Sequence, residues 1–344
     1  MIARAFHAWE RRLASVTTDR VVRPFEWGLD WLGGEVSNGG ARSPLTALLA
    51  WSDEAVTGSD RLFAVTPATD YDLRKGALTY ASALETPHRE NNVVHARYFP
   101  AERQARRCAV VVLPQWNADP DGHVGLCRLL ARFGMSALRL SLPYHDRRMP
   151  PELHRADYIV SANVGRTLQV CRQAVLDARR AVAWLAGRGY ERIGILGTSL
   201  GSCLAHLTMA HEPLIRAAAL NHVSPYFADV VWRGLSTVHV REGLEGRIDL
   251  DELRRVWMPI SPFPYISRLA DRRVLLVYAR YDLTFPIDLS RLLVAEFRRH
   301  GVPHERAVLP CGHYTTGAAP FKWLDGYRLV SFMRRHCLAG SGQT

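Results

Sequence analysis

The sequence predicts an α/β protein, with a mostly parallel central sheet, helices on both faces and a helical cap inserted late in the chain. Two observations carry this. Short, continuous apolar runs such as "CAVVVLP" alternate with segments whose apolar residues recur at helical spacing, as expected when strands buried on both faces are joined by crossover helices. Residues 226–270 then break the alternation with aromatic residues and several prolines between two strand-like runs.

Residues 1–76 read as an N-terminal helical arm, and residues 77–344 as the main domain with its cap. In the arm, Ile2, Phe6, Trp9, Leu13 and Val16 recur at helical spacing with arginines between them. Two uses are open for this helix: packing on the main domain, or a peripheral contact with a membrane surface. "ALTYASALE" and "NVVHARYFP" read as two early strands joined by a turn, and "CAVVVLP" as a buried strand. The helix "HVGLCRLLARFG" and the strand "SALRLSLP" follow. A long helix runs through "NVGRTLQVCRQAVLDARRAVAWLAGRG", closed by Gly187 and Gly189. Next come strand "RIGILG", helix "LGSCLAHLTMAHE" and strand "IRAAALNHV". Beyond the cap lie strand "RRVLLVYAR", helix "DLSRLLVAEFRRHG", strand "HERAVLP" and a last helix near "YRLVSFMRRH".

Composition narrows the function classes. At 48% hydrophobic and 22% charged residues, the 344-residue chain is ordinary for a globular protein. No apolar run approaches the roughly 20 residues that span a bilayer. The first residues have neither a continuous apolar centre nor a small-residue cleavage site, so no secretory signal is expected and the expected location is cytoplasmic. The six cysteines are scattered without a Cys-x-x-Cys pair, which argues against a disulfide framework or a zinc site. The formal net charge is +11, but the arginines are dispersed and form no long basic run, so nucleic acid is not an expected partner.

The chemistry concentrates at "RIGILGTSLGSC". Ser199 is the centre of a Gly-x-Ser-x-Gly turn between a strand and a helix. Such a turn lifts a hydroxyl above the sheet, with Gly197 and Gly201 removing side chains that would clash. A hydroxyl is a weak nucleophile without a base, and the base needs an orienting acid. Asp282 stands just beyond the strand "RRVLLVYAR", and His313 lies in the loop "PCGHYTTG" after the final strand; Asp229 is the alternative acid. As the first residue of the following helix, Leu200 offers its backbone N–H and the helix dipole to a developing oxyanion.

In this order, Ser199, Asp282 and His313 on an alternating strand–helix chain resemble the α/β-hydrolase fold over about residues 77–338. The resemblance implies a serine hydrolase with Asp282 as acid and His313 as base. Many members have His-Gly after the third strand where this chain has "LPQWN", so the second oxyanion donor is expected from Trp116, with Gln115 next. The loop "SLPYHDRRMPPE" would lie on the same rim and is either a hydrogen-bonded rim or a substrate contact through Tyr144 and His145. In the cap, Trp232 and Trp257 are the expected apolar contacts. The expected activity is cleavage of a carboxylic ester or thioester of a hydrophobic acyl substrate, small molecule or lipid, with no metal and no cofactor. An acyltransferase using the same acyl-enzyme, or a catalytically silent binding protein on this scaffold, are the alternatives.

Overall fold

A computed structural model of the chain describes residues 1–33, 43–101 and 107–338. Parts of the expected arm (34–42) and the end of the main domain (339–344) lie outside the described residues. Nine strands form one sheet: β1 (Asp72–Arg74), β2 (Ala77–Ala81), β3 (Val93–Phe99), β4 (Cys108–Leu113), β5 (Ser136–Leu140), β6 (Arg192–Thr198), β7 (Ile215–Asn221), β8 (Arg273–Ala279) and β9 (His304–Leu309). Their order is β1-β2-β3-β5-β4-β6-β7-β8-β9. β1 to β3 are antiparallel to their neighbours, and from β5 to β9 every pairing is parallel. The mostly parallel sheet read from the apolar runs is therefore present. It begins at β1, ahead of residue 77.

Eleven helices among the described residues are α1 (Ile2–Ala14), α2 (Pro44–Thr57), α3 (Ser59–Leu62), α4 (Val124–Arg132), α5 (Val164–Gly187), α6 (Leu200–His211), α7 (Phe227–Arg233), α8 (Val238–Leu244), α9 (Leu250–Val256), α10 (Ile287–Arg299) and α11 (Phe321–Met333). β4 shows why its run is apolar throughout. Ala109, Val111 and Leu113 point into the core shared with α5, α6 and α10, whereas Cys108, Val110 and Val112 point into the core under α4 and α11. With both faces covered there is no polar alternation to see. All six cysteines are buried and unpaired.

The residues between β7 and β8 fold as α7, α8 and α9 with three 3₁₀ turns, Leu235–Thr237, Met258–Ile260 and Phe263–Leu269. The N-terminal helix docks on the main domain. The Phe6 ring stacks on Tyr281 at 4.7 Å, and the fully buried Glu10 carboxylate accepts from the backbone N–H groups of Tyr314 (3.0 Å) and Thr315 (2.8 Å). This is the packing use of the helix; the residues through which it docks are not free for a membrane contact. No helix among the described residues is long and apolar enough to cross a membrane.

Candidate active site

The parallel strands end on one rim, and the backbone pairing continues past their ends into the loops. Ser199 N–H donates to Asn221 O (2.8 Å), His222 N–H to Val277 O (2.9 Å) and Tyr281 N–H to Cys311 O (2.9 Å). This zipper sets the loops after β6, β7, β8 and β9 side by side. The carboxyl ends of parallel strands are where open α/β sheets bind ligands.

Ser199 has φ 56° and ψ −120°, in a region that a residue with a Cβ rarely occupies. The turn is held by contacts that only glycine permits. A Cβ on Gly197 would collide with the backbone of Gly201, and one on Gly201 would collide with Leu113 O. The close approach at Gly201 presses the loop after β4, with Gln115 and Trp116, against the start of α6. Leu200 is the first residue of α6, so its N–H has no acceptor within the helix.

Asp282 is fully buried below the rim. Its Oδ1 accepts from the backbone N–H groups of Thr284 (2.8 Å) and Phe285 (2.7 Å). Its Oδ2 accepts from His313 Nδ1 (3.1 Å) and from His222 Nδ1 (2.8 Å). Burial alone would raise the Asp282 pKa; the His313 charge and the hydrogen bonds from both imidazoles outweigh it and hold the carboxyl below its ordinary value. Burial pulls the His313 pKa down, but the Asp282 charge, its hydrogen bond and the more distant Glu10 carboxylate raise it above 6.5 overall. The His313 ring lies flat against Phe285, with centroids 5.4 Å apart, which leaves few orientations open to it.

Asp282, His222 and His313 bring ligand-type atoms within 4.8 Å of one another. Their arrangement suits hydrogen bonds better than a metal. Both Nδ1 atoms carry protons aimed at the same carboxylate oxygen, and the other oxygen is taken by two backbone donors.

A cavity of about 730 Å³ opens over Ser199 and is lined by His313, His222, Leu200, Gln115 and Trp116. The cap forms one wall through Tyr226, Phe227, Val230 and Val231. The expected aromatic contacts need correction. Trp257 is buried in the core with its indole N–H on Val164 O, Trp232 packs half-buried on the core, and neither lines the cavity. Tyr144 is also fully buried, with its hydroxyl at 3.0 Å from His88 Nδ1. The buried His145 does not face the cavity either. Its Nε2 accepts from Asn117 N–H (2.9 Å) while Nδ1 bonds Pro143 O (2.9 Å), and burial pushes its pKa down to about 4. His145 is thus a neutral brace for the loop that carries Trp116. The alternative acid Asp229 is held by a two-pronged pair with Arg254 of the cap (2.8 and 2.9 Å). Sequence reasoning missed His222. Its signal was its place just past the end of β7, on the same rim as Asp282.

No protein-family model matches the sequence, and no curated protein does. Solved structures match over most of the chain. An acylaminoacyl peptidase from Pyrococcus horikoshii is 15% identical with a TM-score of 0.58; the match covers 80% of this chain and 43% of that one. This chain therefore spans less than half of that peptidase. An acetyl xylan esterase from Paenibacillus sp. R4 is 17% identical with a TM-score of 0.57, covering 83% of this chain and 94% of that one. A Pyrococcus furiosus esterase is 14% identical with a TM-score of 0.51, covering 78% and 92%. At these identities the likeness speaks for architecture, and with the sheet order and the Ser199 turn it leads to one conclusion: the chain has the α/β-hydrolase fold.

Proposed function

We propose that the protein is a serine hydrolase that cleaves a carboxylic ester or thioester with a hydrophobic acyl group. The observation that carries this is the His313–Asp282 hydrogen bond beside a serine held at positive φ, with Ser199 and His313 facing one cavity. Ser199 Oγ attacks the acyl carbon while His313 Nε2 takes its proton. Asp282 holds Nδ1–H and stabilises the imidazolium. The N–H of Leu200, joined by that of Trp116 or Gln115, receives the oxyanion. The ester C–O bond then breaks as His313 returns its proton to the leaving oxygen, or to sulfur in a thioester. A water activated by the same histidine frees the acid. The apolar wall of Phe227, Val230 and Val231 suits the acyl chain.

The test is turnover of p-nitrophenyl esters of increasing acyl length, with fluorophosphonate labelling alongside. Ser199→Ala should lower turnover by about a thousandfold or more and abolish labelling. Undiminished turnover in that variant would end this reading.

A further inference from the structure

The cavity is not apolar throughout. Arg20, on the stretch after α1, lines it close to the catalytic loop, with Nη2 donating to the Tyr314 hydroxyl (3.0 Å), one residue beyond His313. Its Nε is buried without a hydrogen-bond partner, and no carboxylate of the described residues pairs with it. The neighbouring aspartates pair with other arginines. Arg155, 9% exposed, also lines the cavity and is matched by Asp19 (2.8 Å) and Asp157 (3.6 Å), while Arg23 shares Asp157 (3.0 Å). Asp19 and Asp157 are thus taken by Arg155 and Arg23, and neither pairs with Arg20. His239 in the cap stacks on Trp116; burial, with the charges of Arg155 and Arg20, pushes its pKa down to about 4, so it adds no charge at neutral pH.

A buried guanidinium N–H without an acceptor is costly, and a planar carboxylate matches its donor fork. The side of the substrate follows from the chemistry. His313 gives its proton to the leaving oxygen, so the leaving group lies on the His313 side of the scissile bond. Arg20 is tied to Tyr314, the residue next to His313. We propose that the alcohol portion of the substrate carries a carboxylate that Arg20 receives. This inference rests on the ester-hydrolase reading above and narrows it to esters with an acidic leaving group.

The experiment follows the rate at which a neutral fluorophosphonate labels Ser199 in the 344-residue chain. Two leaving-group analogues serve as protectants, 4-hydroxybenzoate and its neutral methyl ester. The carboxylate should protect at concentrations roughly tenfold lower than the methyl ester, the size expected of one charge-assisted hydrogen bond. Arg20→Gln should remove the preference, and Arg20→Lys should keep part of it. Equal protection by the two compounds, protection by neither, or a preference that survives Arg20→Gln overturns the proposal while leaving Ser199 as the reactive serine. Absence of labelling in the unaltered protein overturns both readings.

Discussion

At Asp282 one carboxylate does the work of a junction. Four donors converge on it, two backbone N–H groups on Oδ1 and two imidazoles on Oδ2. These contacts keep a fully buried acid ionised, and the charge so retained fixes the tautomer of His313. Asp282→Asn would place an amide where both imidazoles donate, so His313 would lose the acceptor that fixes its Nδ1 proton and, in the proposed mechanism, leaves Nε2 free to act as base. Turnover should fall by about ten-thousandfold with the fold intact, read by steady-state kinetics alongside thermal melting. Ser199, Asp282 and His313 were legible as candidates because each lies at a strand end and in a set order. His222 was not, since its place just past β7 gains meaning only when the β7 and β8 ends are laid side by side and its Nδ1 meets Asp282. Tyr144 and His145 misled for a related reason. Their position after β5 was right, but Tyr144 has φ 63° and sits in the core rather than on the rim.

Among the elements, α1 has the largest unexpected consequence. Its Glu10 is bound to the two backbone N–H groups that follow His313, and a Cβ on Gly312 would collide with the Glu10 side chain. The helix therefore buttresses the loop of the proposed base and adds a negative charge near it. His313 acts as a base only when neutral, so activity should fall as pH drops through its pKa, which lies above 6.5. Glu10→Gln retains the shape and removes a charge that raises this pKa. The acid limb of the kcat/KM profile should then move to lower pH; an unmoved limb would mean that Glu10 only packs. Helical spacing made α1 legible, yet its dock joins residues about three hundred positions apart, which local periodicity cannot report. β4 was legible because both its faces are buried, whereas β1 is three residues, Asp72–Arg74, half-buried or exposed, too short for any pattern.

Over the whole molecule, the positive balance gains a use that composition alone could not assign. A formal charge of +11 makes the net long-range field attractive to a small anion, and Arg20 gives that anion a place to stop beside the proposed catalytic loop. Attraction over a distance and binding at contact respond differently to salt. Raising salt from about 10 mM to about 1 M shortens the Debye length from roughly 30 Å to about 3 Å. Approach of an anionic ester is then screened, whereas chemistry under the cap is screened much less. For 4-acetoxybenzoate, kcat/KM should fall several-fold over that range with kcat nearly constant. For its neutral methyl ester, both should stay level. A parallel fall for the two esters would trace the salt effect to the protein's stability, because screening of a steering field acts on the charged substrate alone.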